Sequence, residues 1–216
     1  MKRAVIFDMD GVMIDSEIVY LGYQLEYAKT KNPDVRMEDL HPMVGRTAKD
    51  AWKVFEKAVH NGETWEELRQ EYRENWNVYD QIDYKSMFRR EMIPVLERLK
   101  SSGYKLAVAS STGLPLVERI LKTNGIWDYF DEVVSGNMFE RSKPDPEIYC
   151  FTAGKLGVGV EECLVLEDST VGITAAHRAG MTVAALIDDR FGFDRSLADY
   201  EIREIPQIFD ILEKTA

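Results

Sequence analysis

The chain contains 216 residues, of which 45% are hydrophobic and 30% charged, proportions that are ordinary for a globular protein and exclude disordered and collagen-like chains. Its 38 Asp and Glu residues outnumber 27 Lys and Arg residues, so the formal net charge is -11. An acid excess of this size repels phosphate backbones and anionic lipid, which argues against nucleic acid and membrane surfaces as partners. A small anionic substrate remains open, because a local cation can reverse the field inside a cleft.

The sequence shows no targeting or membrane signal. The apolar run Ala4–Phe7 near the start is too short for the core of a signal peptide, and no other run approaches a membrane span. Cys150 and Cys163 form neither a metal-binding pair nor a disulfide framework, so we expect both to be reduced thiols in the core. These features predict a soluble, cytoplasmic protein.

The first predicted element is a fully buried strand, Ala4–Phe7, which stops at Asp8. Further short apolar segments of the same character predict strands over 105–109, 132–134, 163–166 and 182–187. Helical patterns separate them, with Pro at their starts or Gly at their ends, over 93–100, 115–122, 146–156 and 171–178. Buried strands that alternate with helices predict an α/β domain with a parallel, Rossmann-like sheet.

The segment between the first strand and the first of these helices is different, because it contains only helical patterns. Capping boxes at Thr47–Asp50 and Thr64–Glu67 each precede apolar residues at helical spacing. We therefore predict a small α-helical domain at 15–89 that is inserted after the first strand. The α/β catalytic core then consists of residues 1–14 and 90–216.

Carboxylates follow two of the predicted strands. Asp8 and Asp10 come directly after the first strand, and Glu167 and Asp168 come after the strand at 163–166. In an open parallel sheet, the carboxyl ends of the strands line the ligand crevice. Four carboxylates at one edge repel one another, and a hard cation such as Mg²⁺ with oxygen ligands relieves that repulsion. The sequence therefore predicts a magnesium site here.

Two other strand ends supply groups that suit an anion. Ser110, Ser111 and Thr112 bring hydroxyls and backbone N–H groups together just before a helix begins, which predicts a substrate-binding cradle. Lys143 lies between turn residues before another helix and can neutralise a phosphate oxygen or an aspartate. Carboxylates, a cation, hydroxyls and a lysine at one edge indicate phosphoryl transfer, which depends mostly on positioning and charge stabilisation.

These residues together resemble all four motifs of the haloacid dehalogenase superfamily, in order and each at a strand end. The motifs are Asp8-Met-Asp-Gly-Val12, Ser110, Lys143-Pro-Asp-Pro146 and Glu167-Asp168-Ser169. The resemblance covers essentially the whole chain, and the helical insert is similar to that family's small α-helical cap. The chain is most similar to the β-phosphoglucomutase-like phosphatase branch.

The resemblance implies a role for each matching residue. Asp8 is the nucleophile that attacks phosphorus and becomes an aspartyl phosphate. Asp10 is the general acid for the leaving oxygen and then the base that activates water. Ser110 hydrogen-bonds the phosphoryl group, and Lys143 offsets its charge. The resembling dehalogenases and phosphonatases lack an acid at the position of Asp10, which favours a phosphate ester as substrate.

The resemblance also implies a metal site and a substrate contact in the insert. Asp168 binds Mg²⁺ together with Asp8 and the backbone carbonyl of Asp10, and Glu167 supports that metal site. Arg46, just before a predicted helix of the insert, reaches the substrate phosphate.

The leading hypothesis is a Mg²⁺-dependent phosphatase that hydrolyses small phosphate monoesters, such as sugar phosphates, through an aspartyl phosphate. The alternative is a β-phosphoglucomutase, which returns the phosphoryl group to the sugar. In the resembling mutase a histidine restrains the acid–base aspartate, whereas Tyr20 falls at that place here, which favours the phosphatase. A non-catalytic phosphate-binding module is a third reading, against which intact Asp8 and Asp10 argue.

Overall fold

A computed structural model describes residues 1–76, 79 and 81–215. The contacts within the chain divide it into two compact units. The first comprises Met1–Asp15 and Tyr84–Ala216, and the second comprises Ser16–Asp83.

The first unit is built on a six-stranded sheet in which all neighbouring strands run parallel. The strands are β1 (Ala4–Phe7), β2 (Lys105–Ser110), β3 (Glu132–Ser135), β4 (Cys163–Glu167), β5 (Thr182–Leu186) and β6 (Tyr200–Ile202). Their order across the sheet is β3-β2-β1-β4-β5-β6, so β1 lies between β2 and β4. Every residue of β1 and β4 is buried, which explains why both strands read as continuous apolar runs.

Helices connect the strands and fill the second unit. In the second unit they are α1 (Glu17–Lys31), α2 (Met37–Leu40), α3 (Ala48–Val59) and α4 (Trp65–Asn75). In the first unit they are α5 (Met92–Ser101), α6 (Leu114–Thr123), α7 (Glu147–Leu156), α8 (Thr170–Arg178) and α9 (Ile208–Lys214). No helix among the described residues has both the length and the apolar character needed to cross a membrane.

Alternate residues of the central strands contribute to one buried cluster of the first unit. In β1, Ala4 and Ile6 join a buried cluster with Ala107 and Ala109 of β2, which lie in neighbouring register. Residues of α7 and α8 cover this face; they include Ile148, Tyr149, Ala153, Ile173 and Ala176. Small side chains on the central strands let these two helices approach the sheet closely at the site described below.

The structure confirms the predicted α/β class and all five predicted strands, each to within one residue at its end. Three of the strands and α-helices given above were not predicted: α2, β6 and α9. Cys163 is buried in β4 as expected, but Cys150 is exposed, so the expectation of two core thiols is wrong for Cys150. Cys150 lies on the outer face of α7, because the buried positions of that helix follow a different stripe, Ile148, Tyr149, Thr152, Ala153 and Leu156.

The second unit is held together by aromatic side chains on α1, α3 and α4. The ring of Tyr27 stacks on that of Phe55 with centroids 5.5 Å apart, and Trp52 lies 5.3 Å from Tyr72. The hydroxyl of Tyr27 donates a hydrogen bond to the carbonyl of Leu68 at 3.2 Å. Each of these four rings is largely buried, so the unit has its own apolar core.

The chain leaves and re-enters the first unit through two paired segments. The backbone N–H of Asp15 donates to the carbonyl of Met87 at 2.9 Å, and that of Arg89 donates to Met13 at 2.9 Å. Residues 84–89, which the sequence analysis assigns to the insert, therefore group with the first unit. The burial of Ile14 and Met87 gives this pairing an apolar side that the helical pattern did not reveal.

Both predicted capping boxes lie at helix starts of the second unit, but only the one at α4 has both of its reciprocal hydrogen bonds. At α4, the Thr64 hydroxyl accepts from the N–H of Glu67 at 3.4 Å, and the Glu67 carboxylate accepts from the N–H of Thr64 at 2.8 Å. At α3, Thr47 accepts from the N–H of Asp50 at 3.3 Å. The boxes supply partners for N–H groups that a helix start leaves unpaired.

Thr64→Ala should lower the free energy of unfolding of the second unit by about 1 kcal/mol, because it removes the cap of α4. The measurement is urea unfolding followed by tryptophan fluorescence, to which Trp52, Trp65 and Trp76 of this unit contribute. Thr64→Ser keeps the hydroxyl and is the matched control, expected to remain near the parent midpoint. Equal midpoints for the Ala and Ser variants would show that the cap contributes nothing.

Candidate active site

A buried lysine lies at the centre of the carboxyl edge of the sheet. The Lys143 Nζ donates to Asp8 Oδ1 at 2.6 Å, to Glu167 Oε1 at 2.7 Å and to the carbonyl of Ala109 at 2.9 Å. An ammonium has three donors, and all three are used by these bonds. The lysine side chain is only 3% exposed, so the bonds replace its hydration completely. Lys143 therefore joins the ends of β1, β2 and β4.

The charges around this lysine set the protonation of the site. Burial disfavours the ammonium, but the carboxylates of Asp8 and Glu167 outweigh it and raise the pKa of Lys143 well above its ordinary value. Burial raises the pKa of Asp8 to about 8. The attraction of Lys143 opposes this rise but does not cancel it, and the like charges of Glu167 and Asp10 add to it. A further positive charge beside Asp8 would lower that pKa, so the site favours binding a cation.

The carboxylate of Glu167 accepts five hydrogen bonds. Its Oε1 accepts from Lys143 and, at 2.9 Å, from the hydroxyl of Tyr149. Its Oε2 accepts from the backbone N–H groups of Asp168 and Ser169 at 3.0 and 3.1 Å, and from the Ser169 hydroxyl at 3.1 Å. Burial and the charge of Glu167 raise the pKa of Tyr149 well above its ordinary value, so its hydroxyl keeps its proton. Both oxygens of Glu167 are thereby committed within the protein.

Two glycines leave room for the acidic side chains. A Cβ on Gly172, in the first turn of α8, would lie 1.7 Å from Glu167 Oε1. A Cβ on Gly11 would lie 2.0 Å from Asp168 Oδ2, and the backbone of Gly11 has a φ of +79°, which disfavours any other residue. The carboxylate of Asp168 thus lies directly against the turn that carries Asp10.

The donor set fits a hard divalent cation. Asp8, Glu167 and Asp168 are buried, and each offers a carboxylate oxygen within 4.8 Å of the others. With Asp10, four carboxylates face one ammonium, an excess of three negative charges if all are ionised. Oxygen donors at this density suit Mg²⁺, which commonly binds through one or two protein carboxylates and keeps places for phosphate oxygens. Asp8 and Asp168 are better placed as ligands than Glu167, because the oxygens of Glu167 already accept five hydrogen bonds.

The hydroxyl residues after β2 form a tight loop. The backbone N–H of Thr112 donates to the Ser110 Oγ at 3.0 Å, and the Thr112 Oγ1 donates to Asp10 Oδ2 at 2.7 Å. Ser110 is buried, whereas the side chain of Ser111 is exposed. The loop brings Thr112 to Asp10, a contact that the expectation of a substrate-binding Thr112 did not include.

Arg46 belongs to the second unit. It lies two residues before α3, in a turn next to Gly45, and its side chain is exposed. Its contact with the substrate phosphate stays a prediction.

Several residues of the site were missed by sequence reasoning. Tyr149 donates to Glu167, Gly172 makes space for it, and Ser135 donates to the carbonyl of Thr112 at 2.7 Å. Ser169, which the fourth motif contains without a role, also donates to Glu167. Gly172 and Ser169 lie within five residues of Glu167, so proximity in sequence was an available signal. Tyr149 and Ser135 carried none, because their partners are distant in the chain.

Comparisons with known proteins agree with this geometry. The family model of haloacid dehalogenase-like hydrolases matches residues 5–186. A phosphorylated carbohydrates phosphatase from Thermotoga maritima is 33% identical over 181 residues, which are 83% of this chain and 82% of that protein. A phosphoglycolate phosphatase from Aquifex aeolicus is 28% identical over 98% of this chain and 97% of that protein.

A solved structure shares the fold as well. The structure of a β-phosphoglucomutase from Clostridium difficile superimposes with a TM-score of 0.79, 99% of this chain and 96% of that chain being covered at 21% identity. One assignment follows from the parallel sheet, from the motif residues at its carboxyl edge and from the family model that matches residues 5–186. The chain belongs to the haloacid dehalogenase-like hydrolases.

Proposed function

We propose that this hydrolase is a Mg²⁺-dependent phosphatase that cleaves small phosphate monoesters, such as sugar phosphates, through an aspartyl phosphate on Asp8. The observation that carries the proposal is the carboxylate of Asp8, held at the end of β1 by Lys143 at 2.6 Å and still 10% exposed. A buried carboxylate that is paired yet reachable suits a nucleophile. The phosphatase names of the two relatives above support the same reaction class.

In the first step, the Asp8 carboxylate attacks phosphorus, and the bond from phosphorus to the ester oxygen breaks. Asp10 donates a proton to that oxygen, so the product leaves as a neutral alcohol. Asp8 then carries the phosphoryl group as a mixed anhydride. Asp10 lies two residues after Asp8 on the same turn, which brings acid and nucleophile to one substrate.

In the second step, the deprotonated Asp10 takes a proton from water as the water oxygen attacks phosphorus. The bond from phosphorus to the Asp8 oxygen breaks, and inorganic phosphate leaves. Asp8 returns as a carboxylate and Asp10 as the acid, so one ester and one water become one alcohol and one phosphate. Both steps use the same two side chains in opposite roles.

Charge stabilisation comes from groups placed before the substrate arrives. Lys143 offsets charge beside Asp8, and the Ser110 hydroxyl and the N–H groups of its loop suit a phosphoryl oxygen. A Mg²⁺ ion held by Asp8, Asp168 and the backbone carbonyl of Asp10 supplies the charge that a dianionic phosphate requires. Glu167 orients Lys143 and the chain at Asp168 through its five hydrogen bonds.

The predicted insert at 15–89 would select the substrate. We propose that the helical second unit acts as a cap and that Arg46, with Ser111 of the first unit, contacts the phosphorylated metabolite. The net charge of -11 makes a nucleic acid or an anionic membrane a poor substrate or partner, and the predicted location is the cytoplasm.

With β-glucose 1-phosphate, catalytic glucose 1,6-bisphosphate and Mg²⁺, the enzyme should release free phosphate faster than it forms glucose 6-phosphate. A mutase must keep its phosphorylated aspartate from water while the sugar turns over, whereas the bond from the Thr112 hydroxyl to Asp10, within the first unit, holds the base of the second step at the site. Parallel assays over a panel of sugar phosphates establish the hydrolytic rate. Isomerisation that exceeds phosphate release by a large factor would replace the phosphatase with the mutase.

Asp168→Asn should change the Mg²⁺ requirement, whereas Glu167→Gln should change the stability of the fold. Asp168→Asn removes a charged ligand, so the Mg²⁺ concentration for half-maximal activity and for half-maximal thermal stabilisation should both rise at least about tenfold. Glu167→Gln places an amide among groups that all donate, so it should lower the free energy of unfolding by about 3 kcal/mol.

Differential scanning fluorimetry over a Mg²⁺ titration, with chelator as the zero point, measures the thermal stabilisation of each variant. Phosphate release over the same titration measures activity, and urea unfolding measures the free energy of unfolding. Glu213→Gln is the matched control, since that carboxylate is exposed on α9 and pairs with Arg98 at 3.7 Å, outside the site. Full activity in chelator, or an unchanged Mg²⁺ requirement in Asp168→Asn, would contradict the metal assignment.

A further inference from the structure

Asp10 is held by a side chain from the neighbouring strand end. The hydroxyl of Thr112 lies 2.7 Å from Asp10 Oδ2, and Asp10 is 102 residues away in the chain. Both side chains are partly buried, so water competes less for this bond than on an open surface. The contact joins the turn after β1 to the loop after β2.

The backbone of Thr112 is fixed on both sides. Its N–H donates to Ser110 Oγ at 3.0 Å, and its carbonyl accepts from Ser135 Oγ at 2.7 Å. Ser110 and Ser135 are opposite one another at the ends of β2 and β3, and both are buried. Gly136 extends the packing, since a Cβ there would lie 3.2 Å from the Cα of Ser111. The hydroxyl of Thr112 is therefore directed at Asp10 by two rigid strands.

The Thr112 hydroxyl has one proton, and its bond to Asp10 uses that proton. An oxygen of Asp10 that carries no proton can only accept, so the bond to Oδ2 uses the proton of Thr112 both when Asp10 is ionised and when its acid proton is on Oδ1. What remains on the threonine oxygen is lone pairs, which repel the oxygens of a phosphate. This weighs against the expectation that Thr112 binds substrate through its hydroxyl.

We propose that Thr112 is a positioning residue, which holds the Asp10 carboxyl group in the orientation for protonating the leaving oxygen. The inference rests on the proposed function, because it requires Asp10 to be the general acid. Its bond engages one oxygen of Asp10 and fixes the rotation of the group without using the second oxygen. The bond should raise the rate of the first step most for esters whose leaving group needs a proton, as sugars and other alcohols do.

The test compares first-turnover release of phenols from a series of aryl phosphates, from phenyl to 4-nitrophenyl phosphate, in the presence of Mg²⁺. These substrates share one shape and differ in how much the departing oxygen needs a proton. Release of the phenol reports the first step alone, whatever the fate of the phosphorylated enzyme.

Thr112→Val keeps the shape and removes the hydroxyl, so the rate with phenyl phosphate should fall about tenfold more than the rate with 4-nitrophenyl phosphate. Thr112→Ser keeps the hydroxyl and should restore the parental dependence on the leaving group. Thr112→Ala is a second variant with the same expectation as Val, should the β-branched apolar side chain disturb the loop. An equal loss for every aryl phosphate in the Val and Ala variants would overturn the inference, because that is the behaviour of a substrate contact.

Asp10→Asn distinguishes a failure of the positioning role of Thr112 from a failure of the proposed function. It should give the steepest dependence on the leaving group, since it removes the acid itself. If Asp10→Asn steepens the dependence and Thr112→Val does not, the positioning role is refuted and the proposed function stands. If Asp10→Asn leaves the dependence unchanged, Asp10 is not the acid, and both the mechanism and the inference are refuted.

Discussion

One buried ammonium organises the catalytic edge of this protein. Lys143 bonds the carboxylates of Asp8 and Glu167 and the carbonyl of Ala109, and these three groups stand at or near the ends of three adjacent strands. Removing one member of a buried ion pair leaves an uncompensated charge, which commonly costs several kcal/mol. Asp8, which we propose as the nucleophile, Glu167 and Lys143 therefore depend on one another for their positions.

This constraint explains why neighbouring acids have different tasks. Glu167 and Asp168 are adjacent in sequence. Both oxygens of Glu167 accept hydrogen bonds, from Lys143, from Tyr149 and from N–H groups just before α8. Asp168 instead lies against Gly11, on the turn that carries Asp10. A single lysine cannot offset four carboxylates, so the edge attracts a cation and, with it, an anionic substrate. The acidic surface of the whole chain does not prevent this, because the relevant field is local.

The fold could be predicted from sequence because the central strands carry an unusually simple signal. Ala4–Phe7 and Cys163–Glu167 are buried on both faces, so their apolar runs are continuous and end at the acids. The edge strand Tyr200–Ile202 has only three residues with mixed exposure, which gives no such pattern. The strand pattern placed Asp8, Asp10 and Glu167 at strand ends and Lys143 in a turn before a helix, and strand order then brought them together.

The rest of the site could not be predicted, because its contacts depend on side-chain direction. Thr112 lies two residues after Ser110 in a hydroxyl-rich turn that equally suits an anion. Its contact with Asp10 depends on a backbone that Ser110 and the distant Ser135 hold by hydrogen bonds. Tyr149 and Gly172 meet Glu167 through the approach of α7 and α8 to the sheet. Periodicity and motif spacing carry no information about such approaches.

The central claim is that Asp8 itself accepts the phosphoryl group. Asp10→Asn protein, mixed with 4-nitrophenyl phosphate and Mg²⁺ and quenched within the first turnover, should carry one phosphoryl group on the peptide that contains Asp8. Hydroxylamine should remove that group, as expected for an acyl phosphate, and the double variant Asp8→Asn with Asp10→Asn should remain unlabelled. Stoichiometric release of 4-nitrophenol without phosphorylated peptide, or phosphorylation at any other residue, would contradict the account.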